Sequence, residues 1–359
     1  MVRRERKNLS EYDYDLPEDR VRLVPPPRRG DSRLLVVPRV YSARTEPMVR
    51  TVADLPSLLM PGDHLVVNDS RVIPARAKGV TKSQRSVDIL FLGPFGDSLS
   101  GTVRFLGRGI RPGALLRFFS GRSEVWVSGY SEEDGCFVGE YRGERPLSSE
   151  LETEGEMPLP PYIAKKRKAD PSDRDRYQTV YSRVPGSVAA PTAGLHLGED
   201  LLRMLGEKGI ELSTVTLHVG IGTFRPLADG DLDQHRMHSE WYYVSEETAR
   251  GIAGTKRNGG RVIAVGTTSL RALQSSMILG QEEKEKRVMS GSGWTDLFIR
   301  PGHSFGPVDG LLTNFHTPRS TLLVLVDAFL GENRWRTIYE KALEEGFMFL
   351  SYGDAMLVL

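Results

Sequence analysis

Polar residues gather where apolar runs end. TLHVGIGTFRP (216–226) places His218 after a strand-like run and ahead of Gly220 and Gly222. An imidazole titrates near neutrality, so His218 could be a general base, or it could cap the strand through a hydrogen bond. The two glycines permit a tight turn or a close backbone approach. QHRMHSEWY then brings His235, His238 and Glu240. Two histidines three apart could share a helix face and hold a metal. The segment leads straight into strand-like EWYYV, where that spacing sends them to opposite faces, so lining of a polar cleft is expected instead. In RVIAVGTTSLRALQSS a strand meets Gly266, Thr267 and Thr268, and a helix carrying Arg271 follows. The glycine would let the backbone approach a ligand, and the threonines sit beside the orphan N–H groups of a helix start. A plain capped turn would read the same way.

Three more segments share this character. VVNDSRVIPAR sets Asp69 and Arg71 between apolar runs, and LLTNFHTPRSTLL sets Asn314 and His316 at a strand end. SVAAPTAGLHL (Ser187–Leu197), with Thr192 and His196, is too poor in bulky groups for a core strand. Its backbone is expected to come close to something other than protein. Taken together, these strand ends point to one polar cleft at one end of a sheet. PPYIAKKRKADPSDRDRYQTVY holds Lys165, Lys166, Arg167 and Lys168 between Tyr162 and Tyr177. Basic groups with aromatic neighbours suit an RNA backbone and unstacked bases. An exposed loop is the alternative, since Asp170, Asp173 and Asp175 offset much of the charge.

The elements that must position these groups follow from texture. The chain has 359 residues, 39% of them hydrophobic, enough for about two domains with packed cores. A net charge of +1 names no partner. Cys136 is the only cysteine, which excludes an internal disulfide and a thiolate zinc site. The charged start has no apolar segment behind it, and STLLVLVDAFLG (320–331) is too short to span a bilayer, so a cytoplasmic protein with no membrane contact is expected. Nothing demands an oligomer, and a monomer is expected. Between about Val80 and Tyr141, short Val- and aromatic-rich runs alternate with Gly and Ser/Asp clusters, the pattern of a small antiparallel barrel or sandwich. After Leu159, strand and helix patterns alternate, with Ser245 placed as an N-cap and Asn258-Gly259 as a stop. The expected fold class is α/β: a mixed α/β main domain from residues 1–76 and 154–359, with an inserted antiparallel β-barrel domain at 77–153.

The wording of the motifs adds to this. YDYDLPEDRV, GDHLVVNDSRVIPAR, MPLPPYI, DRYQTVYSRVPGSVAAPTAGLHL, LHVGIGTFRP, MHSEWY, AVGTTSLRAL, GWTDLFIRPG, VDGLLTNFHTPRSTLL and SYGDAMLVL occur in this order. Together they closely resemble the S-adenosylmethionine:tRNA ribosyltransferase-isomerase family of queuosine biosynthesis. The resemblance covers nearly the whole chain and is weakest over 80–150 and after residue 280. It implies an α/β domain with an inserted barrel, and an enzyme that consumes S-adenosylmethionine as a ribosyl donor. The acceptor it implies is 7-aminomethyl-7-deazaguanine at the wobble position of tRNA with a GUN anticodon. The product would be epoxyqueuosine, with adenine and methionine released. No net redox change occurs, so no cofactor and no metal are expected. The resemblance suggests acid–base work for His218, His238 and Glu240. Asp69, Arg71, Thr192 and His196 would contact donor or base. Gly266, Thr267, Thr268 and Arg271 would hold the donor, and Lys165, Lys166, Arg167 and Lys168 the tRNA phosphates. The chain departs from the family pattern at Leu197 (commonly Phe), Thr317 and Arg319 (Leu and Lys), and Gln274 (Glu); no role is assigned to Gln274.

Two other readings remain open at this level. An ordinary S-adenosylmethionine-dependent RNA methyltransferase would want a glycine-rich first strand-to-helix turn, which is lacking. A non-catalytic RNA-binding protein would bind tRNA with strong salt dependence and consume no donor.

Overall fold

The computed structural model describes residues 8–39, 46–93, 97–132, 134–220, 232, 235, 237–279, 286–331 and 333–359. Gly222 lies outside them. At the centre is a nine-stranded sheet. Its strands run, in spatial order, Gly291–Thr295, Glu240–Val244, Glu211–Leu217, His64–Asn68, Val262–Val265, Val308–Asn314, Ala355–Val358, Arg33–Val37 and Met48–Thr51. The strands at 211–217, 64–68, 262–265 and 308–314 are mutually parallel, with Val66 opposite both Ser213 and Ala264, and Ala264 opposite Leu311.

His64–Asn68 and Val262–Val265 are buried at every residue. Continuous runs such as LVV and VIAV are what a strand covered on both faces requires. The period of two then divides each strand between two cores. Val66, Val262, Ala264 and Leu311 enter one, while Leu65, Val67, Ile263, Val265 and Leu312 enter the other. Helices Thr267–Ser275 and Thr321–Leu330 cover the first face through Leu270, Leu273 and Val324. Helix Glu199–Glu207 covers the second through Leu201 and Leu205. Helix Glu246–Arg257 begins where Ser245 accepts the Thr248 N–H, with Glu246 and Glu247 in the first turn.

Six antiparallel strands close a barrel: Arg76–Thr81, Ser86–Leu92, Ser100–Gly107, Leu115–Phe118, Ser123–Ser131 and Cys136–Gly143. Alternation turns Val87, Ile89 and Phe91 inward and Ser86 and Asp88 outward. Helix Leu147–Glu154 adds Leu147 and Leu151 to the barrel core. The barrel joins the sheet through Ser70–Val72, which pairs in parallel with Val184–Ser187. The fold is therefore a mixed α/β structure with an inserted antiparallel barrel, as the sequence pattern suggested. Among the described residues no helix is long and apolar enough to cross a membrane.

Candidate active site

A cleft of about 1290 Å³ opens at the carboxyl ends of the parallel strands. Parallel strands deliver their following loops to one edge, so groups distant in sequence meet there. Val219 follows the 211–217 strand, Gly266–Thr268 follow 262–265, and Thr313, Asn314 and His316 come from the end of 308–314. Ala189–Ala193 forms the wall between them. The small-residue stretch thus lies along the cleft. Gly266, at φ 90, turns the chain from strand into helix, a conformation only glycine adopts without strain. No side chain caps that helix start.

Glu240 and Arg271 form a buried ion pair in the cleft wall, each about 5% exposed. Glu240 Oε1 accepts the Gly220 N–H at 2.9 Å, and its Oε2 accepts from Arg271 Nη1. Arg271 Nε donates to the Leu297 carbonyl at 3.2 Å. Arg271 Nη2, Thr268 Oγ1 and Asn314 Oδ1 are buried with no hydrogen-bond partner among the described residues. All three residues line this cleft. Buried polar atoms are nearly always paired, so three orphans around one cavity mark places for a ligand's polar groups.

The Asn314 amide is locked. Its Nδ2 lies 3.1 Å from His196 Nε2 and donates to the Leu350 carbonyl at 3.0 Å. A carbonyl only accepts, so Nδ2 faces Leu350 and Oδ1 is the atom left without a partner. His196 completes the lock as a neutral ring. Burial, with Arg22 and Arg29 nearby, pushes its pKa down to about 4. His316 is likewise neutral, pushed down to about 3 by burial, and contacts Thr313 Oγ1 at 2.9 Å.

The structure divides the candidates. His238, Glu240, Thr192, Gly266, Thr267, Thr268, Arg271, Lys165 and Lys166 line the cleft. His235 lines it too, its ring against Phe298 at 5.3 Å and its pKa lowered by burial and by His238. Among the described residues no group of three ligating side chains could hold a metal. His218 and Asp69 lie together beside the barrel junction, outside the residues that line the cleft, and Arg71 is turned away from them. His218 Nδ1 is 2.8 Å from Ser70 Oγ, and its ring stacks on Trp241 at 5.1 Å. A Cβ on Gly186 would stand 2.6 Å from that ring, so the glycine keeps the slot open. Burial lowers the His218 pKa, opposed by the Asp69 charge. Asp69 accepts from Thr216 Oγ1 at 2.7 Å and from Arg183 Nη2 at 3.0 Å. Arg71 is exposed and bonds Glu152 at 2.8 Å. His196 stands behind Asn314 and is not among the residues lining the cleft.

The basic loop is also divided. Lys165 and Lys168 are exposed, and Lys166 bonds Glu18 at 2.9 Å. Arg167 makes a bidentate pair with Asp173 at 2.8 and 2.7 Å, and Asp173 is 1% exposed. Tyr177 is fully buried and offers no stacking face. Sequence reasoning passed over the N-terminal segment and the start of the 321–330 helix, although Glu18, Leu23, Ser320 and Leu322 line the cleft. The N-terminal segment carries the family-like motif YDYDLPEDRV but no period-2 or 3.6 pattern, so its place at the cleft is revealed by packing. One such contact is the Tyr14 hydroxyl donating to the His316 carbonyl at 2.5 Å.

Comparison with known proteins gives one answer. The Queuosine biosynthesis protein family is matched over residues 9–358. An S-adenosylmethionine:tRNA ribosyltransferase-isomerase of Anaeromyxobacter sp. (strain K) is 48% identical over 354 residues, 98% of this chain and 99% of that protein. The protein of that name from Nitrosospira multiformis is 44% identical over 98% of both chains. The crystal structure of S-adenosylmethionine tRNA ribosyltransferase from Thermotoga maritima aligns with TM-score 0.53 at 30% identity, covering 98% of this chain and 100% of that one. The chain therefore belongs to the queuosine biosynthesis family of S-adenosylmethionine:tRNA ribosyltransferase-isomerases.

Proposed function

We propose that this enzyme moves the ribosyl unit of S-adenosylmethionine onto the aminomethyl group of 7-aminomethyl-7-deazaguanine. The acceptor base stands at the wobble position of tRNA with a GUN anticodon. The ribosyl unit is rearranged to an epoxycyclopentanediol, giving epoxyqueuosine, and adenine and methionine depart. The observation that carries this reading is the set of three orphaned polar atoms, Thr268 Oγ1, Arg271 Nη2 and Asn314 Oδ1, around one large cleft. Two donors and an acceptor suit a ligand rich in both kinds of group, as a nucleoside carrying an amino acid is.

The sulfonium acidifies the adjacent C5′ protons, so a positioned base starts the rearrangement. Adenine leaves with a proton or a strong hydrogen bond. His238, which lines the cleft, takes the acid–base role. Glu240, held on both oxygens, orients Arg271. Asn314 Oδ1 takes an N–H of a purine-type edge. Lys165 and Lys166 stand at the cleft for tRNA phosphates, whose contacts supply affinity and register. No electrons are gained or lost overall, so the reaction calls for no redox cofactor.

The test combines purified protein, S-adenosylmethionine and tRNA bearing the aminomethyl base, without added metal. Adenine release and the mass of the digested wobble nucleoside are followed together. Release of adenine with the epoxycyclopentanediol nucleoside is expected. Formation of S-adenosylhomocysteine, or tRNA binding with no donor consumed, would overturn the reading.

A further inference from the structure

We propose that Arg271 and the start of the Thr267–Ser275 helix form the subsite for the α-carboxylate at the methionyl end of the donor. The proposal rests on S-adenosylmethionine being the donor. Arg271 is about 5% exposed, and its three nitrogens have different fates. Nη1 is held by Glu240, Nε by the Leu297 carbonyl, and Nη2 by nothing among the described residues. A buried guanidinium donor left unpaired is costly, and an ionised acceptor is its strongest partner. Thr268 lies three residues earlier, on the same helix face, and its Oγ1 is also unpaired. The nine-residue helix starts at Thr267 without a side-chain cap, so its first N–H groups and its dipole favour an anion at the same end.

The occupant is a carboxylate on a small molecule rather than an RNA phosphate. Arg271 is nearly inaccessible, whereas a phosphodiester flanked by sugars needs an open approach such as the one beside exposed Lys165. The partner of Arg271 also fits. The methionyl end carries an ammonium as well as a carboxylate, and the Glu240–Arg271 pair offers one opposite charge to each.

The test compares S-adenosylmethionine with its decarboxylated form, S-adenosyl-3-methylthiopropylamine, which keeps the sulfonium, ribose, adenine and amine. Losing a charge-assisted bond at this site should raise the donor KM about tenfold to a hundredfold in the native enzyme, with a smaller change in kcat. In Arg271→Gln combined with Glu240→Gln, which leaves no unpaired buried charge, the two donors should become equivalent within about threefold. Thr268→Val should lose part of the discrimination. Equal KM for both donors in the native enzyme would overturn the proposal whether or not the variants fold. So would variants that keep full discrimination and instead raise the KM for tRNA, which would place a phosphate there. Equilibrium dialysis of both donors on the native protein reads the carboxylate preference even without turnover. A carboxylate preference with no adenine release would keep the subsite and remove the ribosyl transfer.

Discussion

Acidification should unfold this protein in part through one histidine. His196 is 3% exposed and packed behind Asn314, and burial lowers its pKa from 6.5 to about 4. In the unfolded chain the ring binds a proton below its ordinary pKa, while the folded form stays neutral until the pH nears 4. The unfolded state therefore carries more protons between those values, and stability falls as pH drops through that window. At about 1.4 kcal/mol for each tenfold change in proton affinity, the full loss is about 3 kcal/mol. Above pH 6.5 the term vanishes, and below about 4 it is constant. The measurement is urea unfolding from pH 7 to pH 4 for the native chain and for His196→Gln. The glutamine still offers an oxygen to Asn314 Nδ2 and does not titrate in this range. Carboxylates that protonate in the same window contribute equally to both proteins and cancel in the difference. The native chain should lose about 3 kcal/mol more than the variant. Equal losses would refute the neutral buried ring, and with it the lock on the Asn314 amide.

Other expectations concern the cleft and its rim. Asn314→Leu removes the locked acceptor and leaves His196 Nε2 unpaired, so it should raise the donor KM and cost about 1–3 kcal/mol in stability, measured by kinetics and urea unfolding. Neutralising Lys165, Lys166 and Lys168 should weaken tRNA binding and flatten its salt dependence, read from Kd at several salt concentrations. Arg167→Gln should instead cost about 3 kcal/mol of stability or more, because it strands the buried Asp173 carboxylate. Arg71→Ala should change stability by less than about 1 kcal/mol and leave the donor KM unaltered, since its partner Glu152 is exposed and away from the cleft.

Much of this molecule was legible in local pattern. The run VIAV announced a buried strand because a doubly covered strand must be apolar at every residue. Ser245 announced a helix start because its oxygen satisfies an orphan N–H three residues on. The change to short, aromatic-rich strands marked the barrel because its side chains alternate with period two. The long motifs carried the family. What the sequence left open was where side chains find partners. Arg71 sits in a family-like segment and Arg167 in the basic loop, yet their charges are taken by Glu152 and Asp173. His196 stands behind the cleft as a support, 3.1 Å from the amide nitrogen of Asn314, 118 residues away. Strand order brings Gly266 and Asn314 side by side, and the ion pair between Glu240 and Arg271 leaves one guanidinium nitrogen unsatisfied. Periodicity and capping are properties of a few neighbouring residues, so one chain displays them. Charge pairing and orphaned atoms depend on which residues the fold brings together, from Arg167 and Asp173, 6 positions apart, to His196 and Asn314, 118 apart, and only the folded structure decides them.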